Sequence, residues 1–119
     1  MPDTPKRDER LPRSSILRGR ARFEKVRREG KRCQGRFLVL NWLLADARQM
    51  AVIVPKAVGN AVQRNAVKRK AREVYRRLQG DLPLMLRSIW IVRRAADVSY
   101  EEVKSEMTSL YRKAGFLIQ

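Results

Sequence analysis

The side chains able to do chemistry in this sequence are mostly cations. Residues 59–77, GNAVQRNAVKRKAREVYRR, carry Arg64, Lys68, Arg69, Lys70, Arg72, Arg76 and Arg77, with Glu73 as the one acid. The whole chain lacks histidine. That excludes a histidine general base, a Ser-His-Asp triad and nearly every zinc site. What remains is anion recognition, because a guanidinium fork meets a phosphate through two parallel hydrogen bonds. The spacing sharpens this. At about 100° per residue from Arg64, the residues Val67, Ala71, Val74 and Leu78 share an arc of about 280–340°. Arg64, Asn65, Lys68, Arg69, Arg72 and Arg76 fill about 0–140° beside it. Lys70 and Arg77 lie further round, with Lys70 turned to solvent. Lys68–Arg72 and Arg72–Arg76 are like-charge i,i+4 pairs, each costing a few tenths of a kcal/mol in the free helix. A helix that tolerates this repulsion is built to meet a polyanion. Asn65 adds a directional donor and acceptor.

A helix needs a platform, and 119 residues supply one domain. The formal net charge of +16 points to a nucleic-acid partner, with an anionic membrane surface as the rarer option. No apolar run reaches the ~18 residues that span a bilayer. Residues 1–13, with Pro2, Pro5 and Pro12, contain no apolar signal core. Cys33 stands alone, so no internal disulfide can form. Together these predict a chain of the reducing cytoplasm that is neither secreted nor membrane-bound.

The domain organisation is read as a disordered tail over 1–15 and one RNA-binding domain over 16–119. A short helix is expected over 16–29, regular from Arg20 to Glu29 and stopped by Gly30. Phe23 and Val26 share its face. Residues 37–44 and 50–54 read as strands, and the short link between them predicts an antiparallel hairpin closed by Pro55. Gly59-Asn60 is the turn into the long helix of residues 61–78. Residues 88–93 read as a further strand. Ser99 with Glu102 forms a capping box for a last helix with a stripe of Val103, Met107, Leu110 and Ala114.

The stretch from Lys56 through Gly59, Asn60, Ala61, Val62, Arg64, Asn65, Lys68, Arg69 and Arg72 to Glu73 closely resembles the signature of the bacterial ribonuclease P protein subunit. The flanking order agrees: Phe23-x-x-Val26 and Gly30, the strands, a strand ending in Arg93, then a helix opened by Ser99-Tyr100-Glu101-Glu102. The resemblance covers about residues 16–116. It implies an α/β (α+β) sandwich, a small mixed sheet with three helices and a left-handed strand–helix–strand crossover, in a ribosomal-protein-like RNA-binding fold. It also implies a role. The catalyst would be a large RNA that removes the 5′ leader of precursor tRNA with Mg2+ bound chiefly by that RNA. The protein, a monomer in the holoenzyme, would bind the RNA and the leader. Arg64, Asn65, Lys68, Arg69, Arg72 and Arg76 would meet the catalytic RNA, and Phe23, Lys56 and Arg93 would line the leader cleft. The sequence departs from the family pattern at Arg27, Ala57 and Ala66. These thin the aromatic platform on which leader bases would stack.

Other residues are read as structural. Trp42 and Trp90 lie in proposed strands and suit the core, with base stacking as the alternative. Glu101, Glu102 and Glu106 are helix-start acids rather than a metal cluster, and no protein metal site is expected. Cys33, among Lys31, Arg32 and Arg36, is incidental. The competing function is a generic basic RNA-binding or ribosome-associated protein with no processing role. It would account for the charge but not for the long signature. A membrane-surface binder is disfavoured because strands flank the basic helix on both sides.

Overall fold

A computed structural model describes residues 11–94 and 97–117. Its elements are α1 (Arg20–Glu29), β1 (Lys31–Gln34), β2 (Leu38–Leu44), β3 (Gln49–Ile53), α2 (Ala61–Leu78), β4 (Leu86–Val92) and α3 (Tyr100–Lys113). The three helices and the mixed four-stranded sheet are those expected of the α+β sandwich. Residues 1–10 of the proposed tail lie outside the described residues. Arg13–Ser15 already form a 3-10 turn, and Leu11 packs against the core.

The sheet order is β1-β2-β4-β3. This corrects the expected hairpin. β2 pairs antiparallel with β1 and β4, whereas β3 pairs parallel with β4. The link Ala45–Arg48 steps across the end of β4, where Leu44 opposes Leu86 and Gln49 opposes Arg87. Two strand spacings are about 10 Å, which four residues can reach. Arg87 holds the link in place: its guanidinium donates to Asp46 Oδ1 at 2.5 Å and Gln49 Oε1 at 3.2 Å. The β3-to-β4 connection is the parallel crossover, and α2 makes it.

Strand alternation divides the apolar residues between two faces. Leu38, Leu40, Met50, Val52, Trp90 and Val92 join α2 and α3 in the main core. Ala51 and Ile89 face the other way and join Leu17 and Val26 under α1. Trp90 is fully buried; its Nε1 donates to the Tyr111 hydroxyl at 3.2 Å, which donates to Ser88 Oγ at 2.9 Å. Trp42 is half-buried and meets Phe116 edge-on at 4.7 Å. Both tryptophans therefore pack.

Gly30 ends α1 as expected, but for a reason of space rather than conformation. A Cβ there would collide with the backbone carbonyls of Val26 and Trp42. The buried Asn41 side chain finishes the junction, donating to the carbonyls of Val26 at 3.3 Å and Lys31 at 3.0 Å. Glu106 also departs from the reading of a helix-start acid. It is 8% exposed and accepts from the N–H groups of Phe37 at 2.7 Å and Leu38 at 2.8 Å. It thereby ties α3 to the turn between β1 and β2.

Candidate nucleic-acid interface

The basic helix begins at a reciprocal cap. Asn60 Oδ1 accepts from the Gln63 N–H at 2.8 Å, and Gln63 Oε1 accepts from the Asn60 N–H at 2.9 Å. The expected turn is spread over more chain than Gly59-Asn60: Lys56–Val58 form a 3-10 turn, Gly59 is extended and Asn60 caps. Val67, Ala71 and Val74 are buried against the sheet as expected. Tyr75 joins them fully buried, and burial pushes its hydroxyl up to about 12.

The cationic strip lies beside that buried arc. Asn65, Arg69 and Arg72 are exposed, and Arg64, Lys68 and Arg76 are half-buried. Arg64 Nη1 donates to the Gly59 carbonyl at 2.6 Å, which fixes its guanidinium over the start of the helix. That end carries the positive pole of the helix dipole, so cations and backbone N–H groups reinforce each other there. Lys70 is a correction. It does not simply face solvent: its Nζ donates to the Val98 carbonyl at 2.6 Å and joins α2 to the entry of α3.

The far end of the strip is different. Glu73 accepts from Arg76 Nε at 3.0 Å, Arg76 Nη2 at 2.7 Å and Arg77 Nε at 2.7 Å. The hydrogen bond from Arg76, helped by Arg77, outweighs partial burial and holds the Glu73 carboxyl at about 2. A depressed folded value means that the ionised pair stabilises the fold at neutral pH. The contribution is complete above the ordinary value of 4.5 and fades as pH falls towards 2. Thermal melts of the protein and of Glu73→Gln should therefore differ at pH 7 and converge between about pH 4.5 and 2. A constant difference over that range would refute the assignment.

The proposed leader residues lie at three separate elements. β3 and β4 run parallel, so exposed Lys56 and Arg93, just beyond their ends, emerge at the same end of the sheet. Half-buried Phe23 packs on the α1 side, against the Leu17, Val26, Ala51 and Ile89 cluster. Arg27 and Ala57 are exposed and Ala66 is half-buried. Among the described residues no three His, Cys, Asp or Glu side chains converge to hold a metal ion. No helix among them is long and apolar enough to cross a membrane.

The family model described as Ribonuclease P matches residues 11–115. The chain belongs to the ribonuclease P protein family. Among family members, the ribonuclease P protein component of Desulforapulum autotrophicum is 36% identical over 107 residues, covering 87% of this chain and 91% of that one. The component of Thermus scotoductus is 34% identical over 101 residues, covering 85% of this chain. The chain spans only 60% of that Thermus relative's length. The RNase P protein of Thermotoga maritima superposes with a TM-score of 0.73 at 28% identity, covering 82% of this chain and 96% of that one. That of Staphylococcus aureus gives 0.76 at 22% identity, covering 87% and 98%, a likeness of fold alone. Membership of the ribonuclease P protein family thus joins the α+β sandwich to the signature carried by α2.

Sequence reasoning missed four anchoring residues: Lys70, Tyr75, Asn41 and Glu106. It noted Glu73 as the lone acid without giving it a partner. The i,i+3 and i,i+4 spacings to Arg76 and Arg77 were the available signal for that last pairing.

Proposed function

We propose that this protein is the protein subunit of a cytoplasmic ribonuclease P, which assists an RNA catalyst in removing the 5′ leader from precursor tRNA. The observation that carries the reading is the cationic face of α2 in a chain that belongs to the ribonuclease P protein family. Arg64, Asn65, Lys68, Arg69 and Arg72 would dock on the ribonuclease P RNA, and Arg76, held by Glu73, would mark the far end of the strip. Lys56 and Arg93, at the shared end of β3 and β4, and Phe23 beneath α1 would contact the leader. The protein's contribution is positioning: arginine forks and the helix N-terminus neutralise phosphates that approach one another as the two RNAs come together. Mg2+, held chiefly by the RNA, would supply the electrophilic chemistry at the cut. The protein would act as a monomer in this assembly.

Reconstitution tests this. Mixed with a bacterial ribonuclease P RNA at low magnesium, the protein should restore 5′ maturation of a labelled precursor tRNA. Alone it should cleave nothing. Cleavage by RNA-free protein that survives nuclease treatment and gel filtration would sink the accessory role. Failure to stimulate any bacterial ribonuclease P RNA would favour the generic RNA-binding alternative.

A further inference from the structure

The cationic face of α2 is not uniform along its length. From Ala61 to Arg72 the helix contains no acid, and this part also holds the positive dipole pole. In the following turn Glu73 gathers the next two arginines. Arg76 presents both Nε and Nη2 to the carboxylate, the same edge of the guanidinium that would grip a phosphate in bidentate fashion. Arg77 adds its Nε to the same oxygen, Oε2, that Arg76 Nη2 holds. The Arg76 side chain is only 21% exposed in this pairing, against 60% for Arg77. Two cations and one anion leave a single net charge at the end where the dipole is negative.

We propose that Glu73 is a specificity-determining residue. It withholds Arg76, and in part Arg77, from indiscriminate phosphate binding and so fixes where along α2 an RNA backbone must end. An RNA whose phosphates follow Arg64, Lys68, Arg69 and Arg72 and then turn away meets no penalty. A backbone that continues straight along the helix runs into a carboxylate and a committed arginine. Discrimination thus arises from a repulsive element placed at the end of an attractive one. This inference rests on the reading that α2 docks on ribonuclease P RNA.

The test compares the protein, Glu73→Gln, Arg76→Ala and the double variant in filter-binding titrations across a salt series. One probe is a bacterial ribonuclease P RNA; the other is an unrelated RNA hairpin. Glutamine keeps the shape and an acceptor oxygen, and circular dichroism checks the helix. Glu73→Gln should tighten the unrelated hairpin about ten-fold and the ribonuclease P RNA only about two-fold. The log–log salt slope on the hairpin should steepen by about 0.7–0.9 for each additional phosphate neutralised once the carboxylate is gone. Adding Arg76→Ala to Glu73→Gln should remove at least half of the tightening, whereas Arg76→Ala alone should change the slope by much less. Wild-type preference for ribonuclease P RNA, with both slopes and the preference unchanged in Glu73→Gln, overturns the role of Glu73 alone. So does a tightening that survives Arg76→Ala intact. No preference in the wild-type protein overturns the docking reading and the role of Glu73 with it.

Discussion

Arg64→Ala and Arg72→Ala are each expected to weaken binding to a bacterial ribonuclease P RNA by about ten-fold or more. A lost charge-assisted hydrogen bond costs about 1.5–3 kcal/mol, which corresponds to about ten- to a hundred-fold. Arg28→Ala is the matched control. It removes the same charge from α1, which packs on the sheet face opposite α2, and should change affinity by less than about three-fold because distant charges are screened at physiological salt. Lys70→Ala is a poor control, because Lys70 is tied to the Val98 carbonyl. Its loss would loosen α2 against the entry of α3 as well as removing a charge. Filter-binding titrations at fixed salt read the affinities, with circular dichroism confirming the fold. Equal losses for Arg64, Arg72 and Arg28 would mean that total charge, not the α2 strip, governs binding.

The second large effect is on stability. Glu106→Ala removes the acceptor of two buried backbone donors, the N–H groups of Phe37 and Leu38. Each buried donor left without a partner costs about 1–3 kcal/mol. A loss of about 3 kcal/mol in total should lower Tm by roughly 10 °C in a domain of this size. The same geometry explains Gly35, where a Cβ would stand 2.5 Å from Glu106 Oε2. Gly35→Ala should therefore destabilise in the same direction. Scanning calorimetry at pH 7 decides the matter, and a Tm within about 2 °C of wild type for Glu106→Ala would rule out the carboxylate as the tie between α3 and the turn.

The helices were legible from the sequence because their signals are local. Ser99 with Glu102 and the apolar arc of α2 need no information from elsewhere in the chain, and the structure shows both. The sheet was harder. β1 is four residues, KRCQ, on an edge and largely exposed, so it lacks any run of β-formers. β2 and β4 are buried along most of their length, and a continuous apolar strand shows neither its neighbours nor its direction. The short Ala45–Arg48 link suggested a hairpin because loop length is local, whereas the insertion of β4 is not. The strip on α2 followed from helical spacing alone. The anchors beside it did not: Lys70 finds its acceptor 28 residues away and Glu106 finds its donors 68 and 69 residues away. No spacing rule reaches that far.

The place of β4 at the centre of the sheet orders events during synthesis. β2 and β3 leave the ribosome first, each with the edge that will bind β4 still unpaired. α2 follows before the strand that completes its platform exists. A helix needs such a platform, since most helical stability in proteins comes from packing an amphipathic face. Until residues 86–92 arrive, the nascent chain therefore displays its most basic segment unanchored, next to two open apolar strands. Exposed edges of this kind are the points at which chains pair wrongly. Closure of the sheet and anchoring of the cationic face of α2 are in this way one event, set by the emergence of a single late strand.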